Sequence, residues 1–291
     1  MNQFRTTGLK VSGIADLVEL LRPILLRLSS NKLIQYPDKS NSHFKTVKVF
    51  QYWSQEERPI EISKAFKLWD NYLRNSSVLK IERFNKITAI DWLNHYAPEY
   101  QEVFKRAIHP AMEADIFRVA YASKKGGVWI DADHVPPKVT SKNIRHFNIQ
   151  SMESWVQDEQ SNFLMKHWRE NTPYLNNSIF LSHKDCPLVR AMSERILSLD
   201  PAEFATASGI STFAGPKALT EEAEKILIQD KITVNINEYG QINILNSAGS
   251  MLFTISNLFK FLGARKEYAD VFGGDSKWEY KRDSLMDWRS V

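Results

Sequence analysis

Ala111–Pro137, AMEADIFRVAYASKKGGVWIDADHVPP, is the stretch from which the rest of the chain can be read. Met112, Ile116, Val119 and Ala120 recur at the spacing that lines one face of a helix with apolar side chains. Gly126-Gly127 then supply the permissive backbone that a helix end requires. Val128-Trp129-Ile130 reads as a short apolar strand, and Pro136-Pro137 forbids its continuation. At its end stand Asp131 and Asp133, two positions apart, whose carboxylates an extended chain points to the same side. Two anions held that close repel unless a cation or a proton lies between them. A hard divalent ion, Mg²⁺ or Mn²⁺, is the occupant this chemistry selects, because oxygen ligands suit it and it keeps positions open for phosphates. In the preceding helix, Asp115 and Arg118 are three apart and share a face. Alone they would read as a surface ion pair. In a helix feeding an acidic strand end, where open α/β sheets gather their ligands, they become candidate site residues.

Working outward, Thr46–Trp53 (TVKVFQYW) reads as the first strand, Ile62–Leu73 as a helix with Trp69 inward, and Val78–Phe84 as a second strand. Ala89–Tyr96 and Tyr100–Ala107 are short helical pieces. This alternation predicts an α/β fold, a Rossmann-like and mainly parallel sheet flanked by helices, with additional helices at the termini. The chain carries no G-x-G-x-x-G, so phosphates would be held by a metal and side chains rather than by a glycine-rich loop. Beyond Pro137, Arg145–Gln150 and Asn176–Leu181 read as strands and Pro187–Leu199 as a helix. Ile232–Asn237 and Gln241–Leu245 form a hairpin turning at Tyr239-Gly240, and Ser250–Leu262 is a further helix.

With 291 residues, 43% apolar and 25% charged, the chain is long enough for one sizeable α/β domain with a small helical addition. We divide it into residues 1–45, an N-terminal amphipathic helix and linker, and residues 46–291, the main α/β domain. A net charge of +4 fits a small anionic substrate or an acidic membrane surface and is far too slight for a nucleic-acid binder. The single cysteine, Cys186, excludes an internal disulfide and reads as a small buried hydrophobe. Ile14–Leu28, interrupted by Pro23, is expected to pack as a helix on its own domain; the alternative is an interfacial helix on anionic lipid. No secretory leader and no run of about 20 apolar residues is present, so no transmembrane segment is expected. The expected setting is cytoplasmic, with peripheral contact at the inner membrane face as the variant.

The run A-D-I-F-R-x-A-x-x-x-x-x-G-G-V-W-I-D-A-D, residues 114–133, resembles the DXD region of sugar-nucleotide-dependent glycosyltransferases. That family includes alpha-mannosyl- and galactosyltransferases, bacterial capsular polysaccharide synthesis proteins and the glucosylating domains of large clostridial toxins. A bare D-x-D is weak; D-x-x-R, G-G and aromatic-x-D-x-D together at this spacing are specific. The resemblance is densest from Val47 to Pro137. It implies a GT-A fold and a sugar moved from a nucleotide-diphosphate donor, a UDP-sugar, with Mn²⁺ or Mg²⁺ and retention of configuration. The acceptor would be a saccharide or glycolipid in bacterial surface or capsular polysaccharide synthesis.

The resemblance also distributes roles. Asp133 would hold the metal with Asp131 close to the metal, the ribose or the sugar, Arg118 would face the donor, and Asp115 would accept from sugar hydroxyls. Trp53 matches a tryptophan lying against the nucleotide base, whereas Phe50 stands where the family commonly has histidine. Asn177 falls in a segment beside donor sugar and acceptor, with a plain turn asparagine as the alternative. Ser211–Pro216 resembles a T-G-P element whose loop caps a helix by the acceptor cleft. In the tail, Ser276-x-Trp278 resembles a closing element with a metal-contacting serine and a donor-contacting tryptophan. Two other readings of the whole chain are a metal-dependent phosphotransferase, for which no phosphate-cradling loop is evident, and a non-catalytic carbohydrate-binding protein. A glycoside hydrolase is disfavoured, because Asp131 and Asp133 are too close to flank a sugar.

Overall fold

Strands whose alternate residues are apolar on both sides can be buried only between two layers of helix, and this chain builds that sandwich. The computed structural model describes residues 4–9, 11, 16–17, 46–136, 163–166, 175–184, 186–204, 207–229, 231–236 and 241–256. In chain order the strands are β1 (Phe4–Leu9), β2 (Val47–Tyr52), β3 (Leu79–Phe84), β4 (Gly127–Ile130), β5 (Phe163–Lys166), β6 (Asn176–Ser182), β7 (Ile232–Ile236), β8 (Gln241–Leu245) and β9 (Met251–Ser256). The helices are α1 (Ile60–Leu73), α2 (Lys86–Tyr96), α3 (Gln101–Lys105), α4 (Pro110–Lys125), α5 (Pro187–Ser198), α6 (Ala207–Phe213) and α7 (Pro216–Gln229).

All nine strands join one sheet in the order β1-β7-β8-β9-β5-β6-β4-β2-β3. The α/β expectation holds, and β3, β2 and β4 run parallel as the alternation implied. From β4 outward the sheet is mixed: β4–β6, β5–β6, β7–β8 and β8–β9 are antiparallel, while β5–β9 is parallel. β1, from the segment read as an N-terminal addition, pairs antiparallel with β7 at one edge. The expected helix over Ser250–Leu262 is corrected by β9: Met251–Ser256 is a strand between β8 and β5. Its apolar residues satisfied a helical reading only while its two neighbours in the sheet were unknown.

Period-two alternation divides the core. Phe50, Trp129 and Phe180 face the large cluster under α4, α5 and α7, while Val49, Val128, Ile130, Ile179 and Leu181 face α1 through Trp69 and Leu73. Phe50, the residue standing in place of histidine, is fully buried and stacks on Tyr121 at 4.0 Å. Cys186 is buried as expected. Of the Ile14–Leu28 segment, Asp16 and Leu17 are described; both are helical, and Leu17 lies within the main core, in line with the packed alternative. The expected strand over Arg145–Gln150 and the turn at Tyr239-Gly240 lie outside the described residues. No helix among the described residues is long and apolar enough to cross a membrane.

The α4–β4 junction aims the site. Gly126 ends the helix at φ 65°, and a Cβ there would stand 2.7 Å from the Ser182 carbonyl oxygen. Gly127 has φ 120°, and its Cβ would meet the Lys48 carbonyl at 2.6 Å. Both positions therefore need glycine, once for the backbone and once for the approach of β2 and β6. Helix and strand are joined without slack, so α4 side chains are set against the end of β4.

Candidate functional site

The site is built around Arg118, which is 5% exposed near the middle of α4. Its Nη2 pairs with Asp115 one turn earlier, as the spacing predicted. Its Nη1 donates to the Asn177 carbonyl at 3.0 Å and reaches Asp131 Oδ1 at 3.3 Å. Its guanidinium carbon also lies 5.4 Å from the centre of the Trp129 ring. Burial pulls the guanidinium down to about 10, with the charge of Asp131 acting against that, so it stays cationic at neutral pH. Its Nε has no hydrogen-bond partner among the described residues. Arg118 lines a small apolar cavity with Asn177, Phe180 and Met192.

Asp115, 4% exposed, also receives the Asn177 side-chain amide at 3.4 Å. Across from it lies the α6–α7 junction. A Cβ on Gly215 would stand 3.1 Å from Asp115 Oδ2 and 2.8 Å from the Ser211 Cα, so a side chain there would push the junction off the carboxylate. Pro216 opens α7, as its place in the sequence suggested.

Asp131 and Asp133 are brought together by a different route from the one expected. β4 ends at Ile130, and the His134 amide donates to the Asp131 carbonyl at 3.0 Å, closing a tight turn over the motif. A turn, not the two-residue repeat of an extended strand, sets the carboxylates side by side. Asp131 Oδ1 accepts from Trp129 Nε1 at 2.7 Å, and its backbone amide donates to the Ser178 carbonyl at 2.8 Å. Asp133 Oδ1 is 2.8 Å from His134 Nδ1, and His134 Nε2 is 3.2 Å from Ser178 Oγ. Trp69 Nε1 caps the turn by donating to the His134 carbonyl at 2.7 Å.

Asp131, Asp133 and His134 each offer a ligand atom, and these atoms lie within 4.8 Å of one another. The two carboxylate side chains are 28% and 23% exposed, whereas the His134 side chain is 2% exposed. Hard oxygen donors that reach solvent fit a divalent cation; the imidazole fits the role of holding Asp133 in place. Sequence reasoning missed His134, and its position directly after the acidic pair was the available signal. Ser178 was missed too, although it neighbours Asn177.

Trp53, half-buried, packs against the cluster of Ile62, Phe66 and Ala132, and Ala132 is the residue between the two aspartates. The structure thus brings together Asp115, Arg118, Asp131, Asp133 and Asn177, with Trp53 alongside. Ser276 and Trp278 lie outside the described residues.

A family profile described as "Capsular polysaccharide synthesis protein" matches residues 10–199. No curated protein sequence matches the chain. Among solved structures, a "PaToxG Glycosyltransferase" is similar at TM-score 0.40 and 13% identity, over 72% of this chain and 76% of that one. The UDP-bound glycosyltransferase domain from the YGT toxin is similar at TM-score 0.35 and 10% identity, over 54% and 62%. A glycosyltransferase involved in glycosylation of the major capsid of PBCV-1 is similar at 0.34 and 14%, over 57% and 74%.

Proposed function

The chain belongs to the capsular polysaccharide synthesis protein family, and from that premise we propose that it is a GT-A-type glycosyltransferase. It moves a sugar from a nucleotide-diphosphate donor, a UDP-sugar, to a saccharide or lipid-linked saccharide acceptor. The observation that carries the reading is the convergence of Asp115, Asp131 and Asn177 on one buried guanidinium, with Asp133 in the adjoining turn.

Among the described residues, Asp131, Asp133 and His134 place their ligand atoms within 4.8 Å of one another beside the Arg118 guanidinium. A divalent ion suits the two solvent-reaching carboxylates, and Asp133 and Asp131 would hold it. Bound there, Mn²⁺ or Mg²⁺ supplies Lewis-acid stabilisation of the diphosphate leaving group. The remaining work falls to side chains. Arg118, kept cationic and fixed by its partners, places positive charge where the donor becomes more anionic. Asp115 and Asn177, locked to Arg118 and to each other, present fixed acceptors and a donor to the sugar hydroxyls, so orientation needs no rearrangement on binding. Trp53, beside Ala132, stacks on the nucleotide base.

Retention of anomeric configuration, a cytoplasmic setting and a place in surface-polysaccharide synthesis come to this reading from the family resemblance. The same resemblance gives Ser276 to the metal and Trp278 to the donor. Incubation with Mn²⁺ and a panel of nucleotide sugars tests the reading. Release of UDP that accelerates with a saccharide acceptor is expected, and proton NMR of the product gives the anomeric outcome. Release of inorganic phosphate instead would mark a phosphotransferase, and binding of saccharide without turnover of any donor would mark a carbohydrate-binding protein.

A further inference from the structure

Glu113 is a carboxylate that neither the metal turn nor the arginine cluster uses, yet it is only 3% exposed. It stands in the first turn of α4, two residues before Asp115. Its Oε2 accepts from Tyr52 Oη at 2.5 Å and from Ser54 Oγ at 2.6 Å. Its Oε1 pairs with Lys86 Nζ at 2.5 Å, at the start of α2. A buried carboxylate with three donors and a countercharge is costly to assemble, and taking away one partner strands the others. Burial and the neighbouring Glu113 charge also push the Tyr52 phenol well above its ordinary range, so it remains a donor.

The two residues hydrogen-bonded to Glu113 Oε2 flank Trp53 on either side. The Trp53 amide is bonded to the Phe84 carbonyl at 2.9 Å, and the Ser54 carbonyl accepts from the Lys86 amide at 3.1 Å. The backbone at 52–54 is thus held from α4 by side chains and from the β3–α2 connection by main chain. We propose that Glu113 is a positioning residue for the donor: it fixes Trp53 as a preformed platform for the nucleotide base. Because Glu113 and Asp115 share one helical turn, the network sets the distance between the base subsite and the sugar subsite. This inference rests on the reading of Trp53 as the base-stacking residue.

Calorimetric titration of UDP with Mn²⁺ into the full chain tests it, together with donor kinetics. Glu113→Gln is the main variant, because an amide cannot accept from both the hydroxyl pair and the lysine. It should weaken UDP by roughly tenfold, the scale of a lost charge-assisted hydrogen bond. The loss should appear in KM for the donor more than in kcat. In a Trp53→Ala background the same change should alter UDP affinity by less than about twofold, since the platform is already gone. Ser54→Ala and Tyr52→Phe repeat the test should Glu113→Gln fail to fold, and each should show the same dependence on Trp53. An undiminished effect in the Trp53→Ala background, or a loss confined to kcat, overturns the positioning role. Weaker UDP binding in Trp53→Ala with none in Glu113→Gln overturns it as well while sparing the base-stacking reading. Trp53→Ala binding UDP as wild type would remove that reading and this inference together.

Discussion

Replacing Arg118 by methionine leaves the shape of the α4 side chain roughly filled and takes away the guanidinium that bridges Asp115 and Asp131. The Asp115 and Arg118 side chains are each 6% exposed, so Asp115 would remain as a buried carboxylate without its countercharge. Breaking such a pair from one side costs about 3–5 kcal/mol. The Asp131 side chain is 28% exposed, so solvent screens its share of the loss, and the lower end of that range applies. Methionine also escapes the desolvation that pulls Arg118 down to about 10, a second reason for the lower end. At about 3 kcal/mol and roughly 2–4 °C per kcal/mol for a chain of this size, the melting temperature should fall by about 6–12 °C. Differential scanning fluorimetry without metal measures it. Adding Asp115→Asn to the methionine variant should restore part of the loss, and Mn²⁺ should raise the melting temperature of Arg118→Met more than that of wild type. The donor KM should rise and kcat should fall. A variant melting within about 2 °C of wild type would show that the guanidinium neutralises nothing.

Asp133→Asn should abolish transfer while leaving the metal-free melting temperature level or higher, because it relieves repulsion beside Asp131; Mn²⁺ affinity by EPR should drop by about tenfold or more, and near wild-type turnover would remove Asp133 from the metal. Trp53→Ala should raise KM for the donor with kcat at saturation largely kept, since base stacking contributes equally to ground and transition states; a loss confined to kcat would move Trp53 to the chemistry or the core. Cys186, at 1% exposure, has its thiol pushed up to about 11 by burial, so it should not react with a thiol reagent in the native protein at pH 8. The folded form holds that proton more tightly than the unfolded chain, so this contribution to stability is present below pH 8.5, the approximate unfolded value, and is lost as pH rises towards 11. Urea melts across that window should show the loss in wild type and a flatter profile in Cys186→Ala.

Local chemistry was enough for the first half of the fold. Helical spacing, Gly126-Gly127 and the apolar Val128-Trp129-Ile130 dictated α4, its stop and β4, because each depends on residues within a turn or two of one another. The Asp115–Arg118 pair was legible for the same reason: three positions on a helix are adjacent in space whatever surrounds them. The second half depended on partners far along the chain. Met251–Ser256 is a strand because β8 and β5 flank it, and no periodicity within those residues states that. The fate of Asp131 was likewise settled by Ser178, whose carbonyl takes its amide, and by His134, whose amide closes the turn. That His134 would reach both Asp133 and Ser178, and that Glu113 would gather Tyr52, Ser54 and Lys86, follows from contacts spanning up to 61 positions. Hydrogen bonds of that kind leave no period in the sequence. Each partner is an ordinary polar residue until packing excludes water and makes the bond between them obligatory.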